Sequence, residues 1–393
     1  MQPSCPLLLA LWLGISGPWM SAAPTGPDAG GPQATRGTKA ATNPRLLLPA
    51  QLYAVEGLPL RLFYDHLVLQ EQVGTYTLRF EHAPGGQAGK QSWVWQQPRA
   101  GNSQLQVSAL GSEGQVLAKA TCTIHTAPKS SGRERVLRTL MIGDSLTHAS
   151  AHPNHLFKLC QPKGNPALYL IGSHQPASAL PEVRHEGYGG WRWQDFLERY
   201  DPKGDSVAAG PVARRATSPF VFAKPEGKGG QLDLQRYFDQ HAAGQPPDLV
   251  IFMLGINDCF GAKPDAPEPI INACLDQADR LLAAMAKAAP KATLAVVLTP
   301  PPNARQSGFT ANYQDRYTRW GWRRIQHRLV ERMIERLGPR QGPQLRLWPA
   351  GLGLDPVAGY PDNNGVHPNT KGYEQLAEGI YAGMKCWLHH AAP

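Results

Sequence analysis

The sequence predicts an α/β fold with a parallel sheet, preceded by a small all-β region. From residue 136 onward, short apolar strands alternate with helical patterns, which is typical of parallel strands connected by helices. Between residues 46 and 126, apolar and polar residues instead alternate with a period of two between glycine-rich turns. The length of 393 residues is sufficient for two domains.

The N-terminus has the composition of an export signal. Residues 1–23 contain no charge, and their apolar centre, Leu7 to Ile15, is followed by Ser21-Ala22-Ala23. This predicts a secretory signal peptide that is cleaved near Ala23, although the usual positive start is missing. The apolar run is shorter than the roughly 20 residues that a bilayer requires. We therefore expect a secreted or periplasmic protein without a membrane span.

The rest of the chain divides into four segments. Residues 24–44 are rich in Pro, Gly, Ala and Thr, which is typical of a flexible linker. Residues 45–127 are predicted to form a small immunoglobulin-like β-sandwich, because several short strands follow each other at regular spacing. Residues 128–135 are interpreted as a second, polar linker, and residues 136–390 as the α/β domain.

The α/β domain is predicted to contain five strands and five helices. The strands are Val136 to Ile142, Leu168 to Ile171, Leu249 to Leu254, Leu294 to Leu298, and Leu345 to Leu347. The helices are His155 to Leu159, Trp193 to Tyr200, Ile270 to Ala288, Asn312 to Leu337, and Lys371 to Leu388.

Charge and cysteine content restrict the function classes. The net charge of +9 can draw an exported protein to acidic polysaccharide. The densest basic cluster is interpreted as a solvated helix face and not as a nucleic-acid site; it comprises Arg316, Arg319, Arg323, Arg324, His327 and Arg328.

Five cysteines remain after removal of the signal, and this odd number predicts at least one free thiol. Cys259 and Cys274 could pair across a loop, and burial as small apolar side chains is the alternative. Their spacing does not suit a metal site, so we expect neither a metal nor an organic cofactor.

One stretch places a nucleophile where α/β folds carry out their chemistry. Arg138 to Thr147 contains an apolar strand that leads through Gly143 and Asp144 to Ser145. Open α/β sheets bind ligands at the carboxyl ends of their strands, and a helix N-terminus there favours negative charge. The alternative is that Gly-Asp-Ser forms an ordinary turn in which Asp144 or Ser145 caps a helix.

Three further motifs follow at predicted loops. They are Glu186-Gly-Tyr-Gly-Gly-Trp191, Leu254-Gly-Ile-Asn-Asp258 and Asn364-Gly-Val-His-Pro-Asn369. Each is common by itself. Together with Gly-Asp-Ser-Leu, and in this order, they resemble the SGNH hydrolases, or GDSL-type esterases, over about Val136 to Leu388.

The resemblance implies a flavodoxin-like three-layer α/β/α domain with a serine hydrolase site. Ser145 would be the nucleophile and His367 the base. The oxyanion hole would consist of the Ser145 amide, a glycine amide and the Asn257 side chain. We favour Gly190 as the glycine because it is nearest to the following helix, and Gly187 and Gly189 remain alternatives.

The third catalytic position departs from the family. The family pattern places Asp three residues before the histidine, where this chain has Asn364. Asn364 can accept a hydrogen bond from the imidazole but carries no charge, and Asp362 lies two residues upstream. Either residue could orient His367, or the site could operate as a Ser-His dyad.

These observations lead to the hypothesis of an exported serine esterase that removes acetyl or other short acyl groups from a carbohydrate. Trp191 and Arg305 are candidate substrate contacts, although helix packing and loop polarity explain them equally well. The alternatives are a catalytically weak carbohydrate-binding protein and an acyltransferase. The sequence does not predict the oligomeric state.

Overall fold

The computed structural model describes residues 44–71, 74–203, 215–313 and 317–390. The predicted signal peptide (1–23) and all but the last residue of the first linker (24–44) lie outside the described residues. Within the described part, no helix is both long enough and apolar enough to cross a membrane.

The parallel sheet is built from the central strands of the chain. Its strands are β8 (Val136–Gly143), β9 (Ala167–Ile171), β10 (Glu186–Gly187), β13 (Leu249–Met253), β14 (Thr293–Val297) and β15 (Leu345–Trp348). β8 pairs with β13 on one side and with β9 and β10 on the other, and β14 and β15 follow β13. All of these pairings are parallel, which confirms the predicted sheet.

The strand order places the residues that follow β8 at the edge of the sheet where α/β folds bind their ligands. Without the two-residue β10, the order is β9-β8-β13-β14-β15. This is the 2-1-3-4-5 order of flavodoxin-like doubly wound sheets, in which ligands bind where the strand order reverses. After β8 the chain first forms β9 on one side of it and later β13 on the other side. The residues after β8 therefore lie where the strand order reverses.

Helices cover the sheet, and most occupy the predicted segments. They are α2 (Ser145–His148), α3 (Ala151–Cys160), α4 (Trp193–Glu198), α5 (Leu234–His241), α6 (Ile256–Cys259), α7 (Glu268–Ala288), α8 (Gln306–Tyr313), α9 (Arg319–Leu337) and α10 (Thr370–His390). α3 packs against α10, whereas α7 packs against α4, α5 and α9. These two groups form the layers expected on opposite faces of a doubly wound sheet.

The helix predicted from Asn312 to Leu337 is wrong in its extent. α8 ends at Tyr313, and α9 begins after Thr318, whose hydroxyl accepts a hydrogen bond from the Gly321 amide at 3.0 Å. A side chain that caps a helix in this way starts a new helix. The prediction also omitted α5, whose buried face consists of Leu234, Tyr237 and Phe238.

The residues before β8 form two sheets and one short helix. The elements are β1 (Gln51–Val55), β2 (Leu60–Phe63), α1 (Tyr64–Leu67), β3 (Thr77–Glu81), β4 (Gln87–Ala88), β5 (Ser92–Trp95), β6 (Gly101–Leu110) and β7 (Val116–Ala127). One sheet has the order β1-β7-β6-β3 and the other β2-β5-β4. We call this part, residues 51–127, the β-region; its classification as an immunoglobulin-like sandwich stays a prediction.

The β-region packs on the α/β part, and the described residues from 44 to 390 belong to one compact unit. α10 contacts β1 and β7, and Leu352 belongs to the apolar core of the β-region. The thiol of Cys386 in α10 donates to the carbonyl of Ala54 at 3.3 Å. The predicted boundaries at 45, 127 and 136 stay predictions.

A separate two-stranded sheet lies in the segment between α4 and α5. There β11 (Val221–Ala223) pairs antiparallel with β12 (Gly230–Leu232). The cysteines of the described part are all buried, free thiols, so Cys259 and Cys274 do not form a disulfide.

Candidate active site

The nucleophile is presented by a tight connection between strand and helix. β8 ends at Gly143, Asp144 caps the next helix by accepting a hydrogen bond from the Leu146 amide at 3.0 Å, and Ser145 is the first helical residue. Asp144 is buried, and this burial raises the pKa of its carboxyl to about 7. The turn therefore serves both purposes that the sequence allowed. Asp144 caps α2, and Ser145 lies at the carboxyl end of the strand as a nucleophile would.

Two glycines allow this connection because a side chain fills the space beside them. A Cβ on Gly143 would lie 2.0 Å from Thr147 Oγ1, and a Cβ on Gly187 would lie 2.7 Å from Thr147 Cβ. Gly143 and Gly187 are paired between β8 and β10. The close approach of Thr147, and not a positive φ, requires glycine at these two positions.

The base reaches the nucleophile from a distant loop. Nε2 of His367 lies 2.8 Å from the Ser145 hydroxyl oxygen, across 222 residues of sequence. This distance lies within hydrogen-bond range, as expected for a serine activated by an imidazole. The two residues that the motifs singled out therefore meet at the carboxyl end of the sheet.

Asn364 occupies the other side of the imidazole. Its side-chain oxygen lies 3.1 Å from Nδ1 of His367 and accepts hydrogen bonds from the Val366 and His367 amides at 3.1 and 2.9 Å. Because amide N–H groups can only donate, the oxygen of Asn364 and not its NH₂ group faces the ring. Nδ1 of His367 must then carry the proton, and Nε2 is free to accept one from Ser145.

Asp362 is placed differently. Its side chain is 84% exposed and forms an ion pair with Arg305, whose Nη1 lies 3.0 Å from the carboxylate. Arg305 Nη1 also donates to the Tyr360 carbonyl at 3.2 Å. Of the two candidates, Asn364 occupies the Nδ1 side of the imidazole in this structure, whereas the Asp362 carboxylate is turned to Arg305 and solvent.

The same contacts revise the interpretation of Arg305. Its guanidinium is engaged by Asp362 and Tyr360, both in the loop that precedes His367. In this structure Arg305 therefore holds the loop that precedes His367, and substrate contact by this residue stays a prediction.

Asn303 holds the histidine loop from the neighbouring strand end. Its side-chain NH₂ group donates to the carbonyls of Pro361 and Asn364, both at 2.9 Å, and its backbone N–H donates to the Gly365 carbonyl at 2.9 Å. Asn303 is fully buried. The sequence showed only an asparagine after a proline run at a strand end, and polarity at that position was the available signal.

Burial controls the basicity of the imidazole. Removal from water lowers the pKa of His367 to about 4, because the imidazolium form loses hydration. At neutral pH the ring is therefore neutral, with its proton on Nδ1, and Nε2 can accept the serine proton. Asn364 supplies orientation but no negative charge for the imidazolium that forms.

Backbone amides that could stabilise an oxyanion lie at Ser145 and on the loop after β10. The Gly187 amide donates to His185 Nδ1 at 3.0 Å and the Tyr188 amide to the Gly143 carbonyl at 3.1 Å. Among the described contacts, the amides of Gly190 and Ser145 have no hydrogen-bond acceptor. Because its amide is engaged, Gly187 is excluded as a donor. Gly190 remains a candidate, and so does Gly189, whose amide also has no acceptor among the described contacts.

Asn257 lies on the α6 turn after β13 and contacts the same loop. One N–H of its side chain donates to the Trp191 carbonyl at 3.0 Å, which leaves its second N–H for a substrate oxygen. The adjacent Asp258 accepts a hydrogen bond from the Trp193 amide at 3.2 Å at the start of α4. Asn257 and Asp258 therefore tie the glycine loop to the end of β13.

The Trp191 side chain is not exposed to a substrate in this structure. Its side chain is only 1% exposed, and its ring packs against Tyr188 and Phe196. The Arg199 guanidinium lies 5.2 Å from the ring centre. In this structure the packing alternative describes Trp191, because its indole packs the glycine loop onto α4.

Comparison with known proteins identifies the family. The model of the GDSL-like Lipase/Acylhydrolase family matches residues 141–375, which is more than half of the chain. The chain belongs to this family. It is an ester hydrolase of the SGNH type, and the matched range contains Ser145, Asn257 and His367.

Several solved structures are similar to the chain. A carbohydrate esterase family 3 protein from Talaromyces cellulolyticus is 17% identical, with 65% of this chain and 100% of that chain covered and a TM-score of 0.36. A carbohydrate acetylesterase family member from Sinorhizobium meliloti is 16% identical, with 64% and 99% covered and a TM-score of 0.38. An acetylxylan esterase from Geobacillus stearothermophilus is 14% identical, with 67% and 100% covered and a TM-score of 0.34. The search of curated proteins found no match.

Proposed function

We propose that this ester hydrolase is an exported enzyme that removes acetyl or other short acyl groups from a carbohydrate, with Ser145 as nucleophile and His367 as base. The observation that carries the catalytic part is the hydrogen-bonded series from Ser145 through His367 to Asn364, with distances of 2.8 and 3.1 Å. The unengaged donors at Ser145, Gly190 and Asn257 lie on the loops beside it.

The reaction begins when the Ser145 oxygen attacks the ester carbonyl. Nε2 of His367 accepts the hydroxyl proton, and the carbonyl oxygen becomes an oxyanion that the amides of Ser145 and Gly190 and the Asn257 side chain stabilise. Collapse of the intermediate breaks the bond to the sugar oxygen, which takes the proton from His367 and leaves as the alcohol. Water then attacks the acyl-serine by the same route, and the free acid leaves.

A short acyl group is supported by the scarcity of exposed apolar surface. In the described ranges, the exposed large apolar residues are Val116, Val136, Tyr169 and Ile270, and none belongs to the loops that carry the catalytic residues. A long acyl chain requires an apolar surface to cover it, because burial of each CH₂ group contributes about 0.8 kcal/mol.

Two features support a carbohydrate as the alcohol component of the ester. They are the positive net charge of the chain and the β-region that precedes the α/β part. The net charge of +9 favours acidic polymers at the cell surface. Export is supported by the composition of residues 1–23, which resembles a signal peptide.

The test is hydrolysis of nitrophenyl acetate by the wild type and by Ser145→Ala. We expect the variant to lose at least about 10⁴-fold in kcat, as when a serine nucleophile is removed from a hydrolase triad. Release of acetate from acetylated polysaccharide, compared with hydrolysis of nitrophenyl palmitate, then checks the substrate class. Equal rates for wild type and Ser145→Ala would reject the mechanism, and faster cleavage of palmitate would reject the short acyl group.

A catalytically weak carbohydrate-binding protein is the second candidate. The observation that favours it is the neutral Asn364 at the third position, because this residue gives the imidazolium no charge partner. Binding of acetylated glycan by the wild type without any release of acetate would support this candidate.

A further inference from the structure

We propose that a cleft between the β-region and the catalytic edge binds the glycan chain of the substrate, with a preference for acidic sugars. This inference rests on the proposed carbohydrate esterase function and assigns a role to the β-region. The cleft is lined by Tyr64, Tyr76 and Lys90 from the β-region side and by Ala304, Arg319 and Pro356 from the α/β side. We call it the joint cleft.

The joint cleft has a volume of about 650 Å³. This lies within the range of about 300 to 1,000 Å³ that is typical of pockets for small molecules. Its lining combines ring faces with charged and amide side chains, including Gln91. Sugars present both apolar C–H faces and hydroxyl groups, so a mixed lining of this kind matches their chemistry.

The cleft shares a wall with the loop that carries the base. The Ala304 amide donates to the Pro356 carbonyl at 2.7 Å, and both residues line the cleft. Ala304 lies between Asn303 and Arg305, which hold the loop before His367 through hydrogen bonds and an ion pair. A glycan seated in the cleft would therefore contact Ala304, the residue between the two that hold the histidine loop.

Tyr64 offers a supported ring for stacking. Its ring stacks on Phe80 at a centroid distance of 5.5 Å with an angle of 27° between the planes. Its hydroxyl donates to the Gly89 carbonyl at 2.9 Å, which fixes the orientation of the ring. Tyr64 is half-buried and lines the cleft, so a sugar can stack on it without first ordering the side chain.

The charge of the lining points to an acidic sugar. Arg319 lies with its guanidinium 4.3 Å from the Trp320 ring, and in the described part of the chain its buried Nε has no hydrogen-bond partner. Lys90 is exposed and has no ion-pair partner among the described residues. The acidic residue of the lining, Asp65, is already paired with Arg323 at 3.0 Å. A surplus of positive charge remains, and a carboxylate on the glycan would neutralise it.

The cleft is held in place by a buried contact that the sequence did not predict. Arg323 was expected on a solvated face, yet it is 1% exposed and donates to both the side chain and the carbonyl of Asp65. His327, also buried, lies with Nε2 3.0 Å from the same carbonyl. These bonds fasten the segment that bears Tyr64 to α9, and a site held in this way loses little entropy on binding.

Binding is measured on the full chain with the Ser145→Ala substitution, so that turnover does not interfere. The probes are polygalacturonate as the acidic glycan and unsubstituted xylan as the neutral one. We expect polygalacturonate to bind more tightly than xylan and to weaken with added salt. Tyr64→Ala and Arg319→Gln, each added to Ser145→Ala, are expected to weaken it on the order of tenfold.

Matched controls use the same residue types outside the cleft. Tyr169→Ala removes a tyrosine that is 52% exposed on β9, and Arg346→Gln removes an arginine that lines a different pocket. Neither is expected to change glycan binding. Equal affinity for the two glycans, or the same loss in the controls as in the cleft variants, would overturn the inference.

A kinetic experiment separates this inference from the proposed function. In the otherwise wild-type chain, Tyr64→Ala and Arg319→Gln should raise KM for an acetylated acidic glycan and leave hydrolysis of nitrophenyl acetate unchanged, which also shows that they fold. If the parent protein cleaves no ester but Ser145→Ala still binds polygalacturonate through Tyr64 and Arg319, the esterase proposal fails while the joint cleft stands. If esters are cleaved but both cleft variants bind and react like the parent, the joint cleft is rejected and the esterase stands.

Discussion

The side-chain oxygen of Asn364 accepts the His367 backbone N–H at 2.9 Å and lies 3.1 Å from Nδ1 of the same residue. The backbone bonds prevent the amide from flipping, so its oxygen always faces the ring. In serine proteases, replacing the aspartate with asparagine costs about 10⁴-fold because the imidazole adopts the wrong tautomer. Here the tautomer is correct, and only the charge is missing.

We predict that Asn364→Asp raises both the activity and the pKa of His367. The base must be neutral, so activity of the wild type should fall as pH decreases through about 4, the lowered pKa of His367. A carboxylate beside Nδ1 favours the imidazolium and should move this acid limb upward by about 1 to 3 pH units. On the plateau, kcat should rise on the order of tenfold, because one pKa unit corresponds to 1.36 kcal/mol.

The measurement is the pH profile of kcat/KM for nitrophenyl acetate. Asp362→Asn is the control, because its carboxylate is exposed and paired with Arg305, and this variant should leave the acid limb in place. A shifted limb in Asp362→Asn, together with no shift in Asn364→Asp, would assign the orienting role to Asp362.

Asn257→Ala is predicted to reduce kcat by about 10² to 10³-fold, the usual cost of removing one oxyanion donor. KM should change little, because the bond to the oxyanion forms mainly in the transition state. Asn102→Ala, which removes an exposed asparagine of β6 that pairs with His125, is the control and should keep full activity. Retained kcat in Asn257→Ala would remove this residue from the oxyanion hole.

Gly187→Ala is predicted to lose stability, whereas Gly190→Ala is predicted to lose catalytic rate. A Cβ on Gly187 would lie 2.8 Å from the His148 backbone nitrogen, so Gly187→Ala should lower the free energy of unfolding by about 1 to 3 kcal/mol. A Cβ on Gly190 would meet no atom within 4 Å, but its φ is +79°, where alanine is strained. Gly190→Ala should therefore fold, with the amide displaced and kcat reduced.

Denaturant unfolding and kcat, measured on the same samples, separate the two effects. Gly164→Ala is the matched control, because Gly164 also has a positive φ, +95°, and open space around its Cβ. Gly164→Ala should lower the free energy of unfolding as Gly190→Ala does, by about 1 to 2 kcal/mol, because of the same backbone strain. It should show no loss of kcat. Normal kcat in Gly190→Ala would contradict the prediction that strain displaces the donor amide, and would leave Gly189 as an equal candidate.

Arg323→Ala is predicted to lower the free energy of unfolding by about 2 to 4 kcal/mol, because it leaves a cavity and removes two hydrogen bonds to Asp65. Arg324→Ala should cost less than about 1 kcal/mol, since its bond to Glu71 is exposed to solvent. Denaturant unfolding of the two variants checks the difference. Equal losses would mean that the buried contact does not fasten the β-region to α9.

The parallel sheet was predictable from local pattern, whereas the pairing of Ser145 with His367 was expected from the resemblance of four motifs to the SGNH hydrolases. Continuous apolar runs such as Leu249–Met253 indicate buried parallel strands, and parallel strands bring their carboxyl ends to one edge. Ser145 and Asn257 each come shortly after such a strand, so their position at this edge required only the fold class.

Contacts between segments that are distant in sequence were not predictable. Asn364 has the spacing that the family pattern requires and Asp362 has the charge, so the sequence left both open. Only the folded loop shows that Arg305 engages Asp362 while backbone amides orient Asn364. Trp191 was ambiguous because an indole packs equally well in a core or in a cleft. Arg323 was misread because a helical charge pattern contains no information on which neighbour covers it.

The sequence by itself thus determined the strands, the edge at which they end and the residues able to carry out ester hydrolysis, since these follow from periodicity and side-chain chemistry. Only the tertiary structure decided which oxygen faces the imidazole, which aromatic rings are buried, and where the β-region meets the catalytic edge. Those outcomes depend on packing and desolvation across hundreds of residues, as in the 258 residues that separate Asp65 from Arg323.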